Sequence, residues 1–131
     1  MIGLDTNVLV RYIMQDDSKQ SPKANALIED LTTETPGFIG LVSVVELVWV
    51  LSSCYSLKRD QIVQALEVIL RSKQLVVDQA ELVARALRAY GASTADFADC
   101  LIERTAAAAG CSLTMTFDVA ASKSAGMTLI R

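Results

Sequence analysis

An α/β fold with a mainly parallel sheet of four to five strands follows from three observations. Short apolar runs alternate with amphipathic stretches, a turn or capping residue separates most neighbours, and 131 residues suffice for one core. Helical crossovers between strands favour parallel pairing, and parallel sheets are covered on both faces. A chain of this length buries roughly two-thirds of its unfolded surface, so a single domain over residues 1–131 is expected.

Ile2-Gly3-Leu4 suits a first buried strand, and it runs at once into Asp5-Thr6-Asn7, three residues able to cap a helix. Val8 to Ile13 continue that helix until Asp16-Asp17-Ser18 breaks it. A second helix is expected from about Lys19 to Leu31, where Ala24, Leu27, Ile28 and Leu31 recur at helical spacing. Thr35-Pro36-Gly37 is a turn, and Phe38-Ile39-Gly40-Leu41 reads as the second buried strand. Ser43 then opens a third helix, apolar almost all round through Trp49 and Leu51 and therefore expected to be buried.

Ile62, Leu66, Ile69 and Leu70 mark a fourth helix after Asp60, and Leu75-Val76-Val77 a third strand. Asp78-Gln79-Ala80-Glu81 fits a capping arrangement for a fifth helix carrying Leu82, Val83, Ala86 and Leu87, closed by Gly91-Ala92-Ser93. A sixth helix spans roughly Thr94 to Ala109, with Gly110 as its stop. Leu113 to Thr116 form a fourth strand and Met127 to Ile130 a short fifth. No repeat, linker or bilayer-spanning apolar run interrupts the pattern.

Function must be sought among the acids. The chain has no histidine, so any metal site is built from oxygen, which suits Mg2+ or Mn2+ rather than Zn2+. The three cysteines are unclustered and read as small buried hydrophobes. With no secretory signal pattern at the N-terminus, a cytoplasmic setting is expected. Net charge is −3, which argues against a non-specific nucleic-acid binder. Setting aside Asp5, Glu46, Asp96, Asp99 and Asp118 leaves ten acids against twelve bases, a balance compatible with a phosphodiester substrate. The hydrophobic excess, 52% of residues, points to an oligomer or partner surface.

Each acid also has a plain structural explanation. Asp5 is a good helix cap, although Thr6 or Asn7 could replace it there. Glu46 completes a capping box with Ser43, yet it is the lone charge between Glu34 and Lys58, and an unpaired buried carboxylate is costly. Asp96 and Asp99 share one face at a helix start, where first-turn acids are favoured and for Asp96 that suffices. Asp118 could cap the loop after the fourth strand. Ligands of parallel α/β sheets collect at the carboxyl ends of strands, and Asp5 and Asp118 both follow such ends.

Together the fragments Ile2-Gly3-Leu4-Asp5-Thr6-Asn7-Val8-Leu9, Ser43-Val44-Val45-Glu46-Leu47, Asp96 to Ile102 and Thr116-Phe117-Asp118 resemble the PIN-domain family, most closely its compact VapC-type toxins. The similarity covers essentially the whole chain. It implies a three-layer α/β/α fold, Mg2+- or Mn2+-dependent endoribonuclease activity, a homodimer, and inhibition by a VapB-type antitoxin. By match of motif, Asp5, Glu46, Asp99 and Asp118 are the catalytic, metal-binding acids. Asp96, Thr6, Asn7 and Thr116 are supporting groups. Arg11, Lys19 and Lys23, on the first two helices, are candidates for holding RNA phosphates, with a solvated helix face as the alternative.

Without histidine, an imidazole acid/base mechanism is excluded, and metal-activated water is the natural nucleophile. Two other readings stand beside this one. A PIN-like fold kept as a non-catalytic interaction module would suit the apolar composition. A Mg2+-dependent phosphotransfer or phosphatase domain ranks behind, because the only late lysine is Lys123 and the DxD spacing is missing.

Overall fold

The computed structural model describes all residues, 1–131. Its backbone contacts divide into two compact units, Met1–Ala80 and Glu81–Arg131. Strand and helix alternate as the sequence predicts, and every strand pairing is parallel.

In the first unit, β1 (Ile2–Gly3) is followed by α1 (Thr6–Met14) and α2 (Gln20–Glu29), then β2 (Gly37–Ile39), α3 (Leu41–Ser53), α4 (Arg59–Arg71) and β3 (Leu75–Val77). The three strands lie in the order β1-β2-β3, with Gly3 opposite Phe38 and Phe38 opposite Val76. All three therefore end at one edge. Asp5 follows β1 there, and Asp78 extends the ladder by donating its N–H to the Ile39 carbonyl at 2.8 Å.

The first strand differs from expectation: Ile2 is 47% exposed and only Leu4 is buried. Gly37 leaves room for two apolar side chains. A Cβ at that position would lie 2.8 Å from the side chains of both Leu4 and Leu31. The first helix stops at Gln15, not at the aspartates that follow. Gln15 adopts a left-handed conformation (φ 52°), and its amide donates to the Tyr12 carbonyl at 2.7 Å. Asp17 instead starts the next helix, accepting from the N–H groups of Lys19 and Gln20, and those bonds hold its carboxyl below the usual range.

Leu41, expected in the strand, begins α3. Gly40 is the cap, and its carbonyl accepts the first helical bond from Val44. Val44, Leu47, Val48 and Leu51 turn inward and are buried. The expectation of all-round burial fails, since Val42 is 76% and Trp49 63% exposed. A helix buries only the faces its neighbours cover, and a uniformly apolar helix leaves the remainder on the surface.

In the second unit, α5 (Ala80–Gly91), whose first residue closes the preceding unit, is followed by α6 (Phe97–Ala108), β4 (Met115–Thr116), α7 (Val119–Ser124) and β5 (Thr128–Leu129). Val83, Ala86, Leu87, Tyr90, Phe97, Cys100 and Leu101 are buried, and Tyr90 meets Phe97 edge-to-face at 5.8 Å. Gly110, with φ 98°, ends α6 as its position predicts. The five strands match the upper expectation, but their hydrogen bonds close two ladders, β1-β2-β3 and β4-β5. The short helix α7 was not expected. Of the cysteines only Cys100 is buried, and Cys54 and Cys111 are exposed.

Candidate active site

Asp5 caps α1, and its Oδ1 accepts the Thr6 N–H at 2.8 Å. The capping role suggested for Asp5 is thus real, and it engages one carboxylate oxygen only. Thr6 is buried, and its hydroxyl donates to Glu46 Oε1 at 2.8 Å across forty residues of sequence. That bond joins the start of α1 to the second turn of α3.

Glu46 departs from both arguments made for it. It is exposed, so the cost of burying a charge does not apply. Because α3 begins two residues before Ser43, Glu46 lies beyond the first turn and no capping box with Ser43 forms. Its carboxylate is held instead by Thr6, a link between distant segments that spacing along the chain does not reveal. Thr6→Val, nearly equal in size, is expected to leave the melting temperature within a few degrees.

The second unit brings together Asp96, Asp99 and Asp118. Asp96 caps α6, accepting from the Asp99 N–H at 3.3 Å. Asp118 caps α7, its Oδ1 accepting from Ala120 and Ala121 at 2.8 and 3.2 Å. Thr116 fixes Asp118 from behind, its Oγ1 accepting the Asp118 N–H at 3.0 Å. Burial, reinforced by the neighbouring charges of Asp96 and then Asp118, raises the Asp99 carboxyl above its ordinary value. Asp99 therefore lies within electrostatic reach of both other acids. The ion pairs Arg11–Asp16, Arg85–Glu81 and Arg104–Glu103 lie elsewhere.

Asn7 is exposed on α1, Arg11 is half-buried, and Lys19 and Lys23 are exposed near the start of α2. Arg11 and Lys23 line one groove together with Asn7, and Lys19 does not. Sequence reasoning missed α7, though an aspartate directly before Val119-Ala120-Ala121 is a recognisable helix start. It also missed Glu103, a buried carboxylate paired with Arg104 beside Gly126.

An oxygen-only donor set suits a hard divalent cation, and positive charge would offset both the burial of the Asp99 carboxylate and the repulsion from Asp96 and Asp118. No three acidic or cysteine side chains are gathered closely enough here to hold a metal ion. No helix is long and apolar enough to cross a membrane. Comparison with curated proteins and with solved structures returns no match. The PIN-domain family profile matches residues 2–126, spanning both units, and accords with the α/β alternation and parallel strands described above. The chain therefore belongs to the PIN-domain family.

Proposed function

We propose that the protein is a Mg2+- or Mn2+-dependent endoribonuclease of the VapC toxin type, acting in the cytoplasm as a homodimer and restrained by a VapB-type antitoxin. PIN domains are generally nucleases that bind divalent metals. The observation that carries the reading to this chain is the family match over residues 2–126, with Asp99 beside it: burial first, and then the charges of Asp96 and Asp118, raise its carboxyl, and a bound cation would relieve the charge repulsion.

In this reading, which rests on the motif match, Asp5 and Glu46 of the first unit and Asp99 and Asp118 of the second are the catalytic, metal-binding acids. Thr6 orients Glu46, the Ala120 and Ala121 N–H groups with Thr116 orient Asp118, and Asp96 adds negative charge beside Asp99. Asn7, next to Thr6 and exposed, is placed to contact a ligand or water. When bound, a divalent cation supplies acidified water and neutralises charge on the scissile phosphate. Exposed apolar side chains in each unit, Val42 and Trp49 in the first and Phe117, 80% accessible, in the second, support partner surfaces for a second copy and an antitoxin.

Incubating the protein with single-stranded RNA, with Mn2+ or with chelator, tests the assignment. Mn2+ should raise the melting temperature and be required for cleavage, leaving 3′-hydroxyl and 5′-phosphate ends. Cleavage that survives chelation, or 2′,3′-cyclic phosphate ends, would reject it. The same exposed apolar side chains favour a second reading, a PIN fold serving only as an interaction module. Metal-induced stabilisation without any RNA cleavage would favour that reading instead.

A further inference from the structure

A groove of about 280 Å3 runs between α1 and α2, outside the set of carboxylates. Val8, Ala24 and Leu27 give it apolar walls, Lys23 adds an unpaired cation, and Arg11, ion-paired to Asp16, adds N–H donors. No carboxylate lines it. Asn7 closes one end, immediately after the Thr6 that holds Glu46.

Arg11 is fixed before any ligand arrives. Its Nε donates to Gln20 Oε1 at 2.7 Å, and one terminal nitrogen donates to the Tyr55 hydroxyl at 3.2 Å and to Asp16 at 3.3 Å. Tyr55 in turn donates to Asp16 at 2.7 Å. The guanidinium is thereby a pre-set plane, and such planes stack on bases as well as contacting phosphate. Lys23 is exposed and unpaired, a mobile point charge suited to phosphate.

The occupant must therefore combine negative charge, an apolar face and a polar edge. It must also be small, for the volume admits one flat group and excludes a duplex. A nucleotide of a single strand meets all of these conditions. We propose, building on the ribonuclease reading above, that this groove receives one unstacked base of the RNA substrate. Val8, Ala24 and Leu27 contact its face, Asn7 its edge, and Arg11 and Lys23 the phosphate beside it. The groove would thus choose which nucleotide lies next to the carboxylates, a specificity element distinct from the acids themselves.

Leu27 is 36% exposed, so Leu27→Ser is tolerated by the fold. The test measures equilibrium binding of a fluorescent single-stranded RNA 12-mer, with chelator present to prevent turnover. An oligonucleotide series carrying one abasic position stepped along the strand runs beside it. Leu27→Ser should weaken the intact oligonucleotide by about fivefold and leave the best-placed abasic one within about twofold. Lys23→Gln should weaken both equally and flatten the salt dependence by about one unit of slope. An equal loss for intact and abasic strands in Leu27→Ser, or no loss in either variant with unchanged melting, would overturn the proposal. So would unchanged RNA binding accompanied by loss of a polypeptide partner, which would assign the groove to that partner. Failure of the nuclease reading would show separately, as no Mn2+-dependent cleavage of the same oligonucleotide by the unaltered protein.

Discussion

If the proposed ribonuclease reading holds, Asp5→Asn is expected to lower the rate of RNA cleavage in Mn2+ on the order of 10^3-fold while the protein keeps its fold, as measured by initial rates beside thermal melting. Asparagine caps a helix as well as aspartate does, so the bond from the Thr6 N–H survives and only the charge is lost. In a metal-assisted reaction a ligand's charge is worth several kcal/mol of transition-state stabilisation, and that sets the size of the expected effect. Unchanged cleavage by Asp5→Asn would end the role given to this residue.

Asp99→Asn is the informative companion. A carboxyl whose folded value is raised contributes stability below the ordinary carboxylate range, and that contribution is lost as pH rises through the raised value. At neutral pH the ionised group in the metal-free protein is therefore a liability that asparagine removes. The variant should melt higher than the unaltered protein at neutral pH without metal, lose that advantage as pH falls, and no longer respond to Mn2+. Gain of stability together with loss of cleavage separates a functional acid from a structural one.

Leu47→Ala is expected to cost about 2–5 kcal/mol and to lower the melting temperature by roughly 10 °C or more. Leu47 is fully buried on α3 beside Glu46, so truncation opens a cavity beneath the helix that carries that acid. Val42→Ala, on the same helix but 76% exposed, is the control and should change stability by no more than about 0.5 kcal/mol. Comparable melting of the two variants would show that the buried side of α3 has been misassigned.

Much of this architecture was legible from spacing and punctuation. Apolar periodicity located α2, α4 and α5, and Gly110 marked the end of α6, where it takes up the left-handed conformation that glycine allows. Where the reading slipped, a tertiary contact had overridden a local signal. Ser43-x-x-Glu46 looks like a capping box, but Gly40 starts the helix earlier and Thr6 claims the carboxylate. Leu41 looks like strand because its neighbours are apolar, and apolar runs alone do not separate strand from helix. Asp5, Asp96, Asp99 and Asp118 stood out because each follows a strand or lies at a helix start, and Glu46 because it is the lone charge between Glu34 and Lys58. Their interactions, Thr6 with Glu46 and Thr116 with Asp118, depend on side-chain direction and had no sequence signature.

The single tryptophan sits at position 49, three residues past Glu46 and open to water. Its indole is therefore a native optical probe on the very helix that bears an acid. Emission from a hydrated ring lies to the red, and any macromolecule that covers α3 would pull it to the blue. Association of a second copy or of an inhibitor can be followed in this way without attaching a dye, whereas RNA seated only in the α1–α2 groove would leave the spectrum unmoved.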